Sequence, residues 1–320
     1  MSAWLPTAPC TPGDCVTVTG PRAGVARRVL RLAGCVVVLL AGVLATPAVR
    51  ALRRLLPAER LVRCWARLLL ATLGVRIRLI AVPGKRVGGS LVVSNHISWL
   101  DILLVAAAGP GRMLAKTEVR RWPVLGPLAS WGGTIFIDRD RLRALPGTVG
   151  EVATALRRGE RVVVFPEGST WCGRGGGRFR PALFEAAVRA DVPVQPLTLR
   201  YRTAAGPSTA PAFVGEDGLL PSLWRVVSVR GLAAEVEFLP QLPPALFPGR
   251  RQLAAAAQRV VDRRRHPNAP DRATCAAHPS ERPVRVPDRP HVPRPRANAA
   301  HRPERPARDG GGRYDRTAPV

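Results

Sequence analysis

Eighteen consecutive positions, 32 to 49, carry no charged side chain, and Cys35-Val36-Val37-Val38-Leu39-Leu40-Ala41-Gly42-Val43-Leu44 lies among them. A run of this length reaches the lower limit for crossing a bilayer as a helix. Arg22, Arg27, Arg28 and Arg31 precede it, and Arg50, Arg53 and Arg54 follow. A single span would put one of these basic clusters on the wrong side, against the positive-inside bias. Residues 55–74 then set Arg60, Arg63 and Arg67 among Leu, Val, Trp65 and a Leu68-Leu69-Leu70 run, an amphipathic pattern. The two segments together, 32–74, read as a membrane-anchoring hairpin or in-plane helix with both ends on the cytoplasmic side. A plain single span stays open. So does a cleaved signal peptide, although Thr46-Pro47-Ala48 is a poor cleavage site and the charged leader is long. The basic leader, 1–31, is expected to be disordered.

The far end of the chain is constrained by composition. From 264 to 320 it is Pro, Arg, Ala and Gly with almost no large apolar residues, so it cannot offset its ordering entropy by burial. A disordered Arg/Pro-rich tail is expected there, leaving 75–263 as one folded domain. The net charge is +27, and the tail holds 13 Arg against 6 acidic residues, so most of the excess lies in front of it. Such basicity suits nucleic acid, an anionic membrane surface or an anionic substrate, and compositional bias toward Arg contributes as well. No zinc-finger spacing, RNA-binding signature or aromatic-interleaved basic stripe is present, so no nucleic acid partner is expected. The six cysteines, Cys10, Cys15, Cys35, Cys64, Cys172 and Cys275, form no Cys-x-x-Cys pair. Their scatter suggests neither a disulfide framework nor a zinc site and fits a reducing compartment.

Between anchor and tail the pattern alternates. Strands are expected at 75–82, 90–94, 112–115, 133–138, 161–165, 194–201 and 234–239, and helices at 101–108, 151–158, 184–190 and 250–263. Alternation of this kind argues for an α/β domain with a central, mostly parallel sheet flanked by helices.

His96 is the only histidine before position 266, so any imidazole chemistry in the folded part falls to it. It stands in Asn95-His96-Ile97-Ser98-Trp99-Leu100-Asp101. Five residues along a regular helix turn through about 500°, which would point His96 and Asp101 apart. They meet only if His96 lies in the turn before the helix and Asp101 in its first turn, with Ser98 as the N-cap. Asp101 could then accept from one ring nitrogen and leave the other as a base. On these residues alone an equal reading is structural, with His96 bonding backbone and Asp101 favouring a helix N-terminus.

Four blocks, spanning about 91 to 198, together resemble the glycerolphospholipid acyltransferase family, in particular its 1-acylglycerol-3-phosphate acyltransferases. His96 and Asp101 match the family's His-x4-Asp block, and Gly133-Thr134-Ile135-Phe136-Ile137-Asp138-Arg139 matches the second. Phe165-Pro166-Glu167-Gly168-Ser169-Thr170 and Val192-Pro193-Val194-Gln195-Pro196-Leu197 match the third and fourth. Lys116-Thr117-Glu118 and Trp122-Pro123-Val124-Leu125-Gly126 are similar to the family's linking segment. The resemblance implies an enzyme that moves a fatty acyl group from acyl-CoA or acyl carrier protein to the free hydroxyl of 1-acylglycerol-3-phosphate, giving phosphatidic acid. It implies His96 as general base and Asp101 as its orienting carboxylate. It also implies that Arg139, Lys116, Glu167, Gly168 and Ser169 bind the acceptor, with Arg139 presenting a fork suited to a phosphate monoester. Arg139 could instead form a surface ion pair with Asp138 or Asp140. Pro193 and Pro196 would shape a wall. No cofactor and no metal are expected; the partners are the lysolipid, the acyl donor and an anionic membrane surface, with the site on the cytoplasmic face of the cell membrane.

One block departs from the family. The family often has an Arg soon after the Gly of the third block, whereas here Ser169-Thr170-Trp171-Cys172-Gly173-Arg174 and a glycine cluster follow. Arg178 and Arg180 are the sequence candidates for the missing charge. The departure leaves another lysolipid, such as lyso-ornithine lipid, as an alternative acceptor. Two further alternatives remain: Cys172 as a nucleophile in a covalent mechanism, and a non-catalytic basic protein of membrane surfaces or nucleic acid.

Overall fold

The computed structural model describes residues 8–18, 20–52, 58–80, 89–122, 125–138 and 141–265. All lie in one compact unit, Met1–Ser280; a second, Glu281–Val320, lies outside the described residues, as does the tail from 266 onward. The chain opens with helices α1 (Pro12–Cys15), α2 (Val25–Ala51) and α3 (Ala58–Thr72). There follow β1 (Arg76–Ile80), β2 (Ser90–Ser94), α4 (Leu100–Ala108), β3 (Arg112–Lys116), α5 (Leu125–Trp131), β4 (Ile135–Ile137), α6 (Leu145–Arg157) and β5 (Arg161–Val164). The remainder is α7 (Phe184–Ala190), β6 (Val194–Thr203), β7 (Gly206–Pro207), α8 (Leu219–Ser228), β8 (Ala233–Phe238) and α9 (Arg250–Arg265).

The strands form one sheet in the order β1-β8-β6-β2-β5-β3-β4, with β7 beside β6. Strands β6, β2, β5, β3 and β4 are mutually parallel, while β8 runs antiparallel to β6 and β1 parallel to β8. Parallel neighbours need crossovers, and α4, α5, α6 and α7 supply them between β2, β3, β4, β5 and β6 in turn. This is the α/β architecture that the alternation predicts. The consequence for function is that β2, β3, β4 and β5 all end on the same edge.

Successive strand residues face opposite sides of a sheet, and here both sides are covered. Val92, Val163, Leu197 and Leu199 join Leu70 and Leu73 of the α3 end, Leu100 and Leu104 of α4, and Val226 of α8 in one core cluster. Leu91, Val93, Val162, Val164 and Val194 join Val152 and Leu156 of α6, Phe184 of α7 and Leu253 and Ala257 of α9 in the other. Burial on both faces explains why these strands read as unbroken apolar runs. Leu104 is fully buried between α4 and the sheet, so Leu104→Ala is expected to destabilise the protein by about 2–5 kcal/mol. Denaturant unfolding in detergent, followed by tryptophan fluorescence, measures it.

At the N-terminus the structure departs from expectation. The leader is ordered over much of its length: Cys10, Cys15 and Ala23 are buried, the Ala23 N–H donates to the Ser228 carbonyl at 2.9 Å, and the Thr17 N–H donates to Thr209 Oγ1 at 3.0 Å. The apolar helix starts at Val25 rather than 32, and two arginines of its first turns have backbone acceptors, one distant in sequence and one local. Arg31 Nη1 donates to the carbonyls of Val227 and Val229, and Arg28 Nε to that of Ala23. Helix α2 packs on α3, where Trp65 Nε1 donates to the Val38 carbonyl at 3.0 Å and the indole lies where a side chain at position 42 would be. Among the described residues, Val25–Val49 is long and apolar enough to cross a membrane, and Val36, Val37, Leu40 and Leu44 on it are exposed.

Other boundaries moved for local reasons. Helix α6 begins six residues before the expected 151, since Pro146 occupies its first turn, where a missing N–H costs nothing. Helix α8, unanticipated, likewise carries Pro221 in its first turn. Helix α9 continues two residues past the expected 263, and the second of them, Arg265, is buried.

Candidate active site

The first candidate residues lie at the C-terminal end of β2, a strand buried at all five positions between β5 and β6. After Ser94 the chain leaves the sheet and does not become helical until Leu100. His96 therefore precedes the helix and Asp101 sits in its first turn, as the spacing requires. His96 Nδ1 is 2.9 Å from Asp101 Oδ2. Ser98 is not the N-cap; that position is Trp99, and Ser98 Oγ accepts the N–H of Leu100 at 3.3 Å. Asp101 reaches back to the turn before the helix: its Oδ2 accepts the N–H groups of Ile97 at 2.6 Å and Ser98 at 2.9 Å.

Asp101 is fully buried, and its second oxygen accepts from Tyr201 Oη at 2.7 Å. Three other donors, the N–H groups of Ile97 and Ser98 and the Tyr201 hydroxyl, converge on this carboxylate, and a carboxylate so used accepts from His96 in the tautomer that carries its proton on Nδ1. Nε2 makes no hydrogen bond among the described residues, and the His96 side chain keeps 19% of its surface exposed. The imidazole is also stacked on Phe165, the residue after β5, with ring centroids 4.0 Å apart. The histidine is held by three means: a carboxylate at one nitrogen, an aromatic face and its own backbone. The backbone contribution comes from the third block, since the His96 N–H donates to Glu167 Oε2 at 2.9 Å and the His96 carbonyl accepts from Trp171 at 2.8 Å.

Two residues that the motif blocks do not include complete this support. Asn95 bridges to β6, its amide donating to the Leu199 carbonyl at 3.0 Å and its oxygen accepting the Leu199 N–H at 2.8 Å. Tyr201, two residues further along β6, is buried and held well above the ordinary phenol range, first by burial and then by the Asp101 carboxylate. Tyr201→Phe is expected to cost about 1–3 kcal/mol, because it leaves one oxygen of a buried carboxylate without its donor. Thermal unfolding of the variant against wild type checks this. Alternation along β6 marks Tyr201 as inward-facing; only the fold could show that Asp101 is what it meets.

The third block turns at Gly168, whose φ of 79° is a left-handed conformation that glycine adopts without strain. Glu167 is 2% exposed, and its Oε1 accepts from Arg265 Nη2 at 2.7 Å. Burial raises the Glu167 carboxyl above the usual range, while Arg265 and the His96 N–H pull it back. Here the expectation for Arg178 and Arg180 fails: both are exposed, and the cation beside the block comes from the end of α9, which the sequence reading assigned to the tail. The glycines of the departing loop make room for it. The Arg265 guanidinium occupies the place of a side chain at 176, and the Trp171 indole that at 177. The loop is tied down at Phe179, whose N–H donates to Gln258 of α9, and at Arg180, whose N–H donates to the Pro166 carbonyl.

The remaining candidates are placed less closely. Lys116 ends β3 exposed, paired in register with Ile137 of β4. Arg139, and Asp140 with it, lies outside the described residues; Asp138, in front of it, is 3.5 Å from Arg141. Ser169 Oγ is buried and makes no hydrogen bond among the described residues. The fourth block is not a wall beside His96. Val194, Gln195, Pro196 and Leu197 are buried at the start of β6, where Gln195 Nε2 donates to the Leu239 carbonyl and the Pro196 carbonyl accepts the Leu239 N–H. The cysteines are not scattered in space: Cys10, Cys15 and Cys172 have their sulfurs within 4.8 Å of one another, each buried. Burial takes Cys172 out of reach as a nucleophile.

Comparison with known proteins matches residues 82–200 to the family described as Acyltransferase. The chain is 37% identical over 170 residues to the 1-acyl-sn-glycerol-3-phosphate acyltransferase of Neisseria gonorrhoeae, covering 53% of this chain and 67% of that protein. It is 35% identical over 255 residues to the lyso-ornithine lipid O-acyltransferase of Rhodobacter capsulatus, covering 75% of this chain and 90% of that protein. The crystal structure of the 1-acyl-sn-glycerophosphate (LPA) acyltransferase PlsC from Thermotoga maritima has the same fold, with a TM-score of 0.57 at 18% identity over 75% of this chain and 97% of that one.

Proposed function

Since this chain belongs to the glycerolphospholipid acyltransferase family, we propose that it transfers a fatty acyl group from a thioester to the free hydroxyl of 1-acylglycerol-3-phosphate, forming phosphatidic acid. The observation that supports this reading most is the His96 and Asp101 pair at the open edge of parallel strands, with Nδ1 engaged and Nε2 left over. An alcohol is a poor nucleophile at neutral pH, so a positioned base is what the reaction lacks. His96 Nε2 takes the acceptor's hydroxyl proton as the oxygen attacks the thioester carbonyl. The carbon–sulfur bond then breaks, and the imidazolium returns the proton to the departing thiolate. Asp101, unable to move, stabilises the charge on the ring while it lasts.

Acyl-CoA or acyl carrier protein supplies the acyl group. Apolar side chains exposed on α2, on α3 (Leu61, Leu68) and on α8 (Leu219, Leu220, Trp224) provide a surface suited to lipid, and the arginines around them suit an anionic cytoplasmic leaflet. Lys116 ends β3 at the edge where β2 delivers His96, and Arg139 comes two residues after β4 in the sequence; we assign both to the acceptor's phosphate. Arg139→Ala is expected to raise KM for lysophosphatidate about 10- to 100-fold, the worth of a charged hydrogen-bonded pair, and to leave kcat nearly unchanged. Steady-state kinetics over a range of acceptor concentrations measures both.

A second acceptor, lyso-ornithine lipid, is favoured by one observation: the loop after Gly168 departs from the common pattern and the Glu167 partner comes from α9. An acyl-transfer assay in membranes, offering each lysolipid with each donor, decides between them. Product from lysophosphatidate supports the first reading; product from lyso-ornithine lipid alone supports the second.

A further inference from the structure

The buried sulfurs that the mechanism leaves unused lie together. Cys10 and Cys15 flank the single turn of α1, where Thr11 Oγ1 accepts the Asp14 N–H and the Cys15 N–H donates to the Thr11 carbonyl. That turn folds a Cys-x4-Cys spacing back on itself so that both thiols approach Cys172, more than 150 residues away. All three are 1–2% exposed, and their sulfurs lie within 4.8 Å of one another. We propose that Cys10, Cys15 and Cys172 bind a zinc ion that fastens the segment ahead of α2 to the loop following Glu167.

The chemistry selects the ligand class. Three thiols at this separation are a soft donor set, which selects zinc among the common divalent ions over magnesium or calcium. Zn–S bonds of about 2.3 Å place tetrahedral sulfurs about 3.8 Å apart, so the cluster closes on the ion with shifts of an ångström or less. Buried thiolates are costly alone, and a divalent cation removes that cost. The fourth corner falls to a water molecule or a backbone oxygen.

The location gives the ion a structural task. Cys172 follows Trp171, whose N–H holds the His96 carbonyl, and precedes Gly173, which packs on Ile97. On the other side, Cys10 and Cys15 start the segment that leads into α2, and Arg174 already reaches Thr17 Oγ1 at 3.2 Å. Zinc there would join the segment leading into the apolar N-terminal helix to the loop after Glu167, adding to the apolar packing and hydrogen bonds already present. Cysteine spacing alone hides this, because the third ligand is distant in sequence and the pair is not Cys-x-x-Cys.

The test uses the full chain purified in detergent under reducing conditions. Elemental analysis is expected to find about one zinc per chain in wild type and in Cys64→Ser, an exposed-cysteine control, and none in Cys10→Ser or Cys172→Ser. Exchange with Co²⁺ is expected to give the sulfur-to-cobalt charge-transfer absorption and the visible bands of a tetrahedral thiolate site. Should the serine variants fail to accumulate, the zinc content and cobalt spectrum of wild type decide alone. Three results would overturn the proposal: wild type holding no zinc and giving no cobalt–thiolate absorption, Cys172→Ser retaining wild-type zinc, or mass spectrometry finding a disulfide among the three in protein prepared without oxidant. None of these readouts depends on acyl transfer, so the proposed reaction could fail with the zinc site intact, or the reverse.

Discussion

His96→Ala is expected to lower kcat by about 10²- to 10⁴-fold, the usual contribution of a positioned general base, while KM for the lysolipid changes little. The reason lies in the geometry. Nδ1 is committed to Asp101 and the ring face to Phe165, which leaves Nε2 as the group that can meet a substrate hydroxyl. The side chain's removal should also spare the fold, because the backbone N–H and carbonyl of residue 96 keep their bonds to Glu167 and Trp171. Steady-state kinetics and a thermal unfolding midpoint, measured on one preparation, separate the two effects. A wild-type kcat in the variant would remove His96 from the chemistry. A large drop in the unfolding midpoint would reassign it to structure.

Arg265→Met is expected to destabilise the protein by about 3–5 kcal/mol, because it leaves the Glu167 carboxylate buried without its cation. Both side chains are almost wholly inaccessible. Burial already raises the Glu167 carboxyl, and Arg265 opposes that shift, so its loss raises the group further. An acid whose folded-state pKa exceeds the unfolded value of about 4.3 binds its proton more tightly when folded. Stability is then highest below the unfolded pKa and falls as pH rises toward the folded one. The Arg265→Met variant should therefore lose stability more steeply than wild type as pH rises above about 4. Adding Glu167→Gln removes the buried charge and should restore much of the loss. Unfolding midpoints at several pH values for wild type and the two variants measure this; parallel profiles for wild type and Arg265→Met would show that the pair does not support the site.

Much of this arrangement is legible in the chain. Alternating strand and helix signals locate the parallel sheet because both of its faces are buried and each crossover needs a helix. Helix geometry states the condition for the turn before α4, that His96 and Asp101 five residues apart meet only if His96 precedes the helix, and the structure meets it. Helix starts are less legible: α6 begins six residues before the expected 151 and α8 was not expected, and each carries a proline in its first turn, where proline is tolerated. Composition misassigned both ends of the folded unit. Arg31 looks solvated but bonds carbonyls at the end of α8, and Arg265 looks like tail but lies beside Glu167.

By itself, the sequence determined the class of fold and brought His96 and Asp101 forward as a candidate pair, because these depend on periodicity and on residues a few positions apart. The tertiary structure alone decided what holds that pair in place. Tyr201 meets Asp101 at a separation of 100 residues, Arg265 meets Glu167 at 98, and Cys172 meets Cys10 and Cys15 across a greater distance still. The physical reason is the same in each case. A buried polar group needs a partner somewhere, but only the packing of the sheet and its helices determines which distant residue arrives there.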